Sequence, residues 1–494
     1  MRKHQLYWIM IGLCAVWAGC QTNASSSVDL QDSPSGPNIV YILVDDMGYA
    51  DLGVYGQETI PTPNLDRMAG EGIRFMQHYA GSTVCAPSRG ALMTGRHSGH
   101  GRVRGNYERG SHGFGGGLHL QPQDVTVAEV LSRGGYSTGL IGKWGLGMHG
   151  TTGEPTSKGF DSYFGFLNQA HAHWQFPEYL FRDGDTVEIA ENQNGQRGAY
   201  SNDLFTDGAI DFISEHQENP FFLYLAYTTP HAEMIVPEDS IFEQYKGQFE
   251  ETPFVENTQG GNKKGFGRYQ SQPNPKAAYA TMVHRIDLDV QRILDHLQEL
   301  GLDEQTIVMF SSDNGPHREG GAHPDQFDSN GPLRGMKRDL YEGGIRIPFI
   351  ARWPGHIPAG QSSDHISAFW DVLPTVAELA HVDISNLEID GISFAPEMLG
   401  KGDLQEKHDY LYWEFHEAKY THQAIRRGDW KAVRLNPSKP VELYNLSTDL
   451  SESRNVADQY PDLAAELAIL MDQSRTPHEI WKVKQPQISA AQAD

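Results

Sequence analysis

The chain has 494 residues, of which 38% are apolar and 10% aromatic. This length allows one large core domain with a smaller one beside it, and the apolar content excludes an intrinsically disordered chain. Asp and Glu outnumber Lys and Arg by 64 to 39, which gives a formal net charge of -25. Since binding to the phosphates of a duplex needs a basic face, we expect no nucleic-acid partner. If the substrate is an anion, the few cations must be concentrated at its site.

Residues 1–19 are typical of an export signal, because two cations precede an apolar run over residues 6–16. The run is too short to span a bilayer. It ends in Ala-Gly-Cys, which resembles the lipobox of bacterial lipoproteins and implies a lipid anchor on Cys20; plain cleavage nearby is the alternative. Residues 20–37 are rich in Ser, Asp and Pro and are predicted to form a tether. We therefore expect an exported protein, an outer-membrane lipoprotein facing the periplasm or the cell surface of a bacterium.

Five short apolar runs end in polar, Gly-containing turns and predict strands buried on both faces, as in a parallel sheet covered by helices. They lie at residues 39–44, 137–141, 221–227, 306–310 and 347–351. Helical patterns lie between them, at residues 124–133, 203–216 and 279–300, and Gly301 is a stop signal for the last. This alternation predicts an α/β fold.

Towards the end of the chain the pattern changes. Residues 423–435 predict a hairpin that turns at Gly428, and residues 461–471 predict a helix. We therefore predict a catalytic domain over residues 38–400 and a small C-terminal α+β domain, with an antiparallel sheet, over residues 401–494.

A polar segment over residues 245–276 is rich in Gln, Asn, Gly and Pro. It is too long for an ordinary connection and lacks apolar periodicity. We expect a lid, a substrate-binding loop or a disordered insert here, and favour the loop.

Four of the predicted strand ends carry reactive residues. Ligands of open α/β sheets bind beyond the carboxyl ends of the strands, so these segments are expected to form one site. They are Asp45-Asp46, Lys143, Thr229-Pro230-His231 and Ser312-Asp313-Asn314-Gly315. The three carboxylates and the amide among them are hard oxygen ligands, which suit Ca²⁺ or Mg²⁺ and not zinc.

Cys85 has no partner for an intrachain disulfide, since Cys14 leaves with the signal and Cys20 carries the lipid. Pro87 and Leu92 place it at a helix N-terminus, where the helix dipole favours an anion. A thiolate nucleophile is one interpretation. A small buried apolar side chain is the other.

Residues 85–96 read Cys-Ala-Pro-Ser-Arg-Gly-Ala-Leu-Met-Thr-Gly-Arg. This segment resembles the maturation motif of type I sulfatases, Cys-x-Pro-Ser-Arg-x-x-x-x-Thr-Gly-Arg, in which the Cys is oxidised to formylglycine (3-oxoalanine). The resemblance extends over roughly residues 36–480. It implies an alkaline-phosphatase-like fold, in which a central, mostly parallel sheet is flanked by helices.

Residues 38–49 resemble the family's first strand with its two metal-binding aspartates, and residues 312–315 resemble the other half of the same calcium site. The resemblance therefore implies one Ca²⁺ per chain. The implied ligands are Asp45, Asp46, Asp313, Asn314 and the modified Cys85.

Residues 142–147 read Gly-Lys-Trp-Gly-Leu-Gly and resemble the family's Gly-Lys-Trp-His-Leu-Gly, whose Lys contacts the formylglycine and the sulfate. Lys143 takes that place, but Gly145 replaces the histidine that helps the aldehyde to re-form. His171 and His173 are the candidates for its substitute, since an imidazole is a natural proton acceptor at neutral pH. The alternative is that both are ordinary core or surface histidines.

The remaining family motifs assign three more residues by resemblance. Pro230-His231 resembles the pair whose histidine protonates the leaving alcohol. Residues 331–337 and 341–348 resemble the segment whose Lys binds the substrate sulfate, here Lys337. Arg89, one helical turn after Cys85, is expected to hold the formylglycine oxygens.

Outside these motifs, several residues are candidates for recognising sugar hydroxyls or further anionic groups. They are Arg102, Arg104, Asn106, His112, His119, His317, His323 and Arg334.

The resemblance implies hydrolysis of a sulfate monoester by the hydrated formylglycine, with a sulfated carbohydrate or polysaccharide as substrate and a separate maturation enzyme as partner. One alternative is a phosphate or phosphonate monoester hydrolase of the same architecture, which commonly needs more metal. Another is an inactive lipoprotein that binds sulfated glycans, for which Gly145 is the supporting feature.

Overall fold

The computed structural model describes residues 36–106, 118–256 and 269–484. The predicted export signal, Cys20, most of the tether and His112 lie outside these ranges. No helix within them is long and apolar enough to cross a membrane.

The strands of the described chain are β1 Asn38–Asp45, β2 Ile73–Tyr79, β3 Ser137–Lys143, β4 Ser162–Phe166, β5 Tyr179–Arg182, β6 Asp185–Glu188, β7 Phe221–Pro230, β8 Thr306–Ser312, β9 Arg346–Arg352, β10 Gln361–Ser363, β11 Ser367–Ala368, β12 Leu411–Phe415, β13 His422–Arg427, β14 Trp430–Arg434 and β15 Glu442–Asn445. Its α-helices are α1 Pro63–Gly70, α2 Cys85–Thr94, α3 Val127–Arg133, α4 Ser201–Glu215, α5 Ser240–Tyr245, α6 Pro275–Glu299, α7 Glu342–Ile345, α8 Val372–Leu379, α9 Ala395–Met398 and α10 Pro461–Gln473.

The first eleven strands form one sheet in the order β10-β2-β9-β8-β1-β7-β3-β4-β5-β6, with β11 also paired to β2. At its centre, β8, β1, β7 and β3 are parallel neighbours. Every residue of β1, β7 and β8 is buried, as expected for strands covered on both faces. The prediction of a mostly parallel α/β sheet is confirmed.

Two strands depart from the parallel arrangement, β5, which is antiparallel to β4 and β6, and β9. The apolar run at 347–351 forms β9, as predicted, but β9 is antiparallel to both of its neighbours, β2 and β8. The reason lies in the preceding connection: β8 ends at the carboxyl edge of the sheet, and the chain re-enters from that same edge. A parallel strand would need a crossover to the opposite edge.

The three predicted helices are present with shifted ends. α3 begins three residues later than predicted because Thr126 caps it: Thr126 Oγ1 accepts from the Glu129 N–H at 3.2 Å, and Glu129 Oε2 accepts from the Thr126 N–H at 2.9 Å. α6 begins four residues earlier, with Pro275 in its first turn. Gly301 follows this helix with a φ of 70°, the left-handed conformation of a helix stop.

Helices cover both faces of the sheet, and the side chains of β1 alternate between two apolar clusters. Val40 and Ile42 pack in the cluster that includes side chains of α4 and α6, whereas Ile39 and Tyr41 pack in the cluster that includes α3 and α8. This period of two fixes the register of β1 and hence the position of the residues that follow it.

The strands β12 to β15 form a separate antiparallel sheet in chain order. β13 and β14 are the predicted hairpin, which turns at Gly428 with a φ of 59°. The predicted C-terminal helix is α10, whose Leu467 and Met471 are buried against this sheet.

Buried polar contacts attach the small sheet to the large one. Lys431 Nζ lies 2.9 Å from Glu342 Oε1 and 3.0 Å from Glu452 Oε1, and the Glu342 N–H donates to Glu452 Oε2 at 2.6 Å. Trp413 Nε1 donates to the carbonyl of Ala80 at 2.9 Å. The contacts among Lys431, Glu452 and Glu342 hold the start of α7, and the Trp413 hydrogen bond holds the segment that follows β2.

Candidate active site

Two neighbouring strand ends assemble the acidic part of the site. β1 and β8 are parallel, with Val44 opposite Ser312, so Asp45, Asp46 and Asp313 meet at one edge of the sheet. Asp46 takes a left-handed conformation with a φ of 66°, and its N–H donates to Asp313 Oδ1 at 3.1 Å. All three carboxylates are buried.

These carboxylates form a group suited to a metal ion. One ligand atom from each of Asp45, Asp46, Cys85 and Asp313 lies within 4.8 Å of the others. Asn314 Nδ2 donates to Asp46 Oδ1 at 2.7 Å, while its buried Oδ1 has no hydrogen-bond partner among the described residues. An unpartnered amide oxygen beside three carboxylates is the donor set of a hard divalent cation.

The charges of the carboxylates are unevenly stabilised. Burial opposes ionisation of Asp45, but the charges of Lys143, Arg89 and Lys337 together with His231 outweigh it and hold the pKa of that carboxyl well below its usual range. Burial, and then the charge of Asp45, raise the pKa of Asp313 to about 7. The charge of Asp313 is therefore less well stabilised than that of Asp45, and a bound cation would favour its ionised form.

Cys85 is the first residue of α2, which confirms its predicted place at a helix N-terminus. Its thiol is 2% exposed and donates to Asp45 Oδ1 at 3.3 Å. Burial, and then Asp45, raise the pKa of this thiol well above its ordinary value. Burial and the neighbouring carboxylate thus oppose the helix dipole, and they disfavour the interpretation of Cys85 as a thiolate nucleophile.

Three buried cations face the three aspartates. Lys143 Nζ lies 2.5 Å from Asp45 Oδ2, Lys337 Nζ 2.6 Å from Asp46 Oδ2, and Arg89 Nη2 2.9 Å from Asp313 Oδ2. Burial opposes the charge of Lys337, but Asp46 and the further acidic groups around it together outweigh burial and raise the pKa of Lys337 well above the ordinary value. The few cations of an acidic chain are thus concentrated here, as an anionic substrate requires.

His231 lies at the end of β7 and faces the same group. Its Nε2 is 3.4 Å from Asp46 Oδ2, and its Nδ1 hydrogen bonds to the carbonyl of Ala232. Burial, and then the Lys337 charge, lower the pKa of His231 well below its usual value. The Nε2 side of the ring is therefore the side available for proton transfer at the site.

Only one of the two substitute histidines reaches the site. The His173 ring stacks on the His231 ring at a centroid distance of 4.4 Å, and its buried Nδ1 has no hydrogen-bond partner among the described residues. His171 instead packs among aromatic rings, at 4.8 Å from Phe166 and 4.5 Å from Tyr179.

Gly145, at the position of the family histidine, has a φ of 79°. A Cβ placed there would lie 1.9 Å from Gln169 Nε2. The Gln169 side chain therefore fills the space beside Gly145, and both of its amide atoms are buried without a hydrogen-bond partner in the described chain.

Three further residues at the site were missed by the sequence analysis. Glu319 lies with Oε2 3.6 Å from His231 Nε2 and 3.8 Å from Lys337 Nζ. Tyr269 donates its hydroxyl to Glu319 Oε2 at 2.7 Å, and Arg338 Nη1 lies 2.7 Å from Glu319 Oε1. Adjacency to Lys337 was a signal for Arg338, and the unusual loop at 245–276 was a signal for Tyr269; Glu319 had none beyond its nearness to the end of β8.

Three of the predicted sugar-recognition residues make contacts within the protein. Arg104 is buried and pairs with Glu414 at 2.9 Å. The Arg334 guanidinium lies 3.8 Å from the centre of the Tyr341 ring. His323 caps the short helical turn that follows it. Arg104, Arg334 and His323 therefore each have a partner within the protein, which the sequence alone did not indicate.

The other candidates of that group divide between the site and its surroundings. Asn106 Oδ1 accepts from the Ala86 N–H, in the first turn of α2, at 3.0 Å, and the His317 ring stacks 5.5 Å from that of His231. Arg102 Nε donates to the carbonyl of His119 at 3.0 Å.

Comparison with known proteins identifies this arrangement. Residues 37–382 match the family model "Sulfatase", and residues 336–476 match "N-sulphoglucosamine sulphohydrolase, C-terminal". The chain is similar to N-acetylgalactosamine-6-sulfatase of Mus musculus, with 32% identity over 90% of this chain and 82% of that protein. It is also similar to arylsulfatase A of Homo sapiens, with 31% identity over 93% of this chain and 88% of that protein.

A solved structure of similar shape is that of Ps i-CgsB in complex with k-i-k-neocarrahexaose. It has a TM-score of 0.73 and 28% identity, and the match covers 89% of this chain and 92% of that one. The site at the strand ends, the motifs that build it and these matches over most of the chain agree. The chain therefore belongs to the sulfatase family, as a type I sulfatase of the alkaline phosphatase superfamily, and is a sulfuric ester hydrolase.

Proposed function

We propose that this sulfatase cleaves sulfate monoesters of a sulfated carbohydrate, using formylglycine at position 85 and one Ca²⁺ held by Asp45, Asp46, Asp313 and Asn314. The observation that carries the proposal is the convergence of three buried carboxylates and three buried cations on Cys85. A substrate with one negative charge needs both metal and cations close to the nucleophile.

The donor set fits calcium. Its atoms are carboxylate and amide oxygens, including the unpartnered Asn314 Oδ1, and hard oxygen ligands select Ca²⁺ or Mg²⁺. When bound, Ca²⁺ supplies positive charge against the sulfuryl oxygens, and the hydrated aldehyde supplies a hydroxyl nucleophile.

The remaining chemistry belongs to side chains in place. Lys143 and Lys337 bind sulfate oxygens from two sides, and Arg89 orients the residue at position 85. His231 acts as the acid through Nε2: since Nδ1 is held by the Ala232 carbonyl, Nε2 first takes up the proton that the attacking hydroxyl releases and then passes it to the departing alcohol oxygen. His173, stacked on His231 at 4.4 Å, accepts the proton that must leave position 85 as the aldehyde re-forms, and so replaces the histidine absent at Gly145.

A two-metal phosphatase would need a second ion site, and the place for it is the group formed by Asp46, His317 and Glu319, whose oxygen and nitrogen atoms lie within 4.8 Å of one another. Two observations argue against an ion there and so support a one-metal sulfatase. The Lys337 ammonium already lies between Asp46, at 2.6 Å, and Glu319, at 3.8 Å. Both His317 ring nitrogens are also engaged, by the carbonyl of Pro230 at 3.1 Å and by the Glu319 N–H at 3.0 Å.

The carbohydrate substrate is supported by the relatives, whose names include N-acetylgalactosamine-6-sulfatase and a complex with k-i-k-neocarrahexaose. Oxidation of Cys85 by a separate maturation enzyme belongs to the proposal. So do export and lipid attachment at Cys20, which rest on the composition of the first 20 residues.

The mass of the tryptic peptide over residues 75–89 tests the proposal. Protein made with a formylglycine-generating partner should show conversion of the thiol to the aldehyde at Cys85 and should release sulfate from sulfated sugars. The Cys85→Ala variant is the control, since it removes the side chain that is oxidised. An intact thiol in an active enzyme, or an active Cys85→Ala variant, contradicts the proposed nucleophile.

A further inference from the structure

Glu319 and Arg338 form an ion pair at the edge of the catalytic group. Arg338 Nη1 lies 2.7 Å from Glu319 Oε1, and the arginine side chain remains 48% exposed. The other carboxylate oxygen accepts from the Tyr269 hydroxyl at 2.7 Å. One face of the pair is thus fixed to the protein, and the guanidinium has further donors towards solvent.

The pair lies on the side from which the alcohol departs. Glu319 Oε2 is 3.6 Å from His231 Nε2, the atom that faces the leaving oxygen in the proposed function. Any group bonded to the sugar carbons beside that oxygen would approach Glu319 and Arg338 first.

The backbone holds Arg338 in place at a conformational cost. Its φ is 78°, in the left-handed region, which non-glycine residues adopt rarely. Its N–H donates to the carbonyl of Thr83 at 3.0 Å, two residues before Cys85. The backbone of Arg338 is therefore anchored to the segment that leads into position 85, and its guanidinium is held by Glu319.

The charges of the pair select the kind of group it can bind. A carboxylate and a guanidinium in contact are neutral together and offer both an acceptor and donors, which suits a hydroxyl group. A second sulfate or a carboxylate at this place would meet the negative charge of Glu319.

We propose that Glu319 and Arg338 bind a hydroxyl group of the leaving sugar, next to the carbon chain that carries the sulfate ester, and so determine specificity for a polyhydroxylated leaving group. This inference rests on the proposed function, because it takes His231 as the group facing the leaving oxygen. Aryl sulfates have no such hydroxyl, so binding by Glu319 and Arg338 does not contribute to the kcat/KM for their cleavage.

The experiment compares Arg338→Gln with the wild type on three substrates: galactose 6-sulfate, its 4-deoxy analogue and 4-nitrophenyl sulfate. Arg292→Gln is the matched control. Arg292 is 45% exposed and lies 2.6 Å from Asp207, so it has a similar ion pair outside the site. Release of inorganic sulfate gives kcat/KM for each enzyme and substrate.

We expect the wild type to cleave galactose 6-sulfate about tenfold or more faster than the 4-deoxy analogue, because a site built for a hydroxyl rejects a substrate that lacks it. Arg338→Gln should lose most of this ratio, with a much smaller change on 4-nitrophenyl sulfate, whereas Arg292→Gln should behave as the wild type.

A wild type that does not distinguish the two sugars, or an Arg338→Gln variant that keeps the ratio, overturns the inference. So does an equal loss on all three substrates, or cleavage of the aryl sulfate alone by the wild type. Failure of the proposed function looks different: protein with formylglycine verified by mass releases sulfate from none of them.

Discussion

The imidazole of His173 lies parallel to that of His231, with 4.4 Å between ring centroids and 16° between ring planes. His171, two residues earlier, packs 4.5 Å from the Tyr179 ring instead. We therefore expect His173→Phe, which keeps a stacked ring but removes the nitrogens, to lower kcat about 100-fold or more, the usual contribution of a general base.

His171→Phe is the control for that measurement. It places a phenyl ring in an aromatic cluster and should leave kcat within about threefold of the wild type, provided circular dichroism shows both variants folded. If His171→Phe were the more damaging change to kcat, the assignment of His173 would be incorrect.

Restoring the family histidine should harm this protein. In Gly145→His the new Cβ meets Gln169, whose Nε2 lies 1.9 Å from the Cβ position, so we expect a loss of about 1–3 kcal/mol in the free energy of unfolding. The double variant Gly145→His/Gln169→Ala removes that contact and should regain part of the loss. Urea unfolding of the wild type, Gly145→His, Gln169→Ala and the double variant gives the free energy of unfolding of each. If the effects of the two single substitutions simply add in the double variant, they argue against a direct clash.

Calcium should stabilise the fold as well as support turnover. Binding to the crowded carboxylates adds about 2.7 kcal/mol when free Ca²⁺ is 100 times its dissociation constant. Thermal unfolding in EDTA and in CaCl₂ gives the shift. Asn314→Ala, which removes the unpartnered Oδ1 and leaves the three ion pairs intact, should show a smaller shift; a full response in this variant would exclude Asn314 as a ligand.

The stability of the chain should fall in mild acid because of His78. This residue is fully buried, with Nδ1 2.8 Å from Ser367 Oγ and its ring 4.4 Å from that of Phe349. Burial, and then His365, lower the pKa of His78 to about 3, whereas the unfolded chain has a value of about 6.5. The contribution of the neutral His78 to the free energy of unfolding is therefore complete above pH 6.5 and is lost as the pH falls towards 3.

The measurement is urea unfolding of wild type and His78→Gln between pH 7 and pH 5. Below pH 6.5 the free energy of unfolding of the wild type should fall by about 1.4 kcal/mol per pH unit more than that of the variant. The reason is that unfolding of the wild type takes up one more proton, on His78. Equal slopes would mean that His78 titrates normally in the folded protein.

The strand-end residues of the site were predictable from the sequence because buried parallel strands leave a plain signal. The apolar runs before Asp45 and Asp313 are unbroken, and their ends must share one edge of the sheet. Cys85, Lys143 and His231 were located in the same way, by motifs that follow strands or begin a helix.

Other features depend on the path of the chain between elements, which local pattern does not encode. The direction of β9 follows from a connection that stays at one edge of the sheet. The choice between His173 and His171 depends on how one short helical turn is rotated, and Glu319 joins the site through a loop without periodicity. Partners distant in sequence decided each of these.

The attachment of the small sheet has a consequence for how the enzyme can be divided. The buried Lys431 holds Glu342, five residues after Lys337, and Trp413 holds the carbonyl of Ala80, five residues before Cys85. A chain cut near residue 400 would lose these supports on both sides of the site while keeping Asp45, Asp46, Asp313 and Asn314. The small sheet is thus part of the framework that positions Cys85 and Lys337, and we expect the catalytic region expressed without it to lack activity.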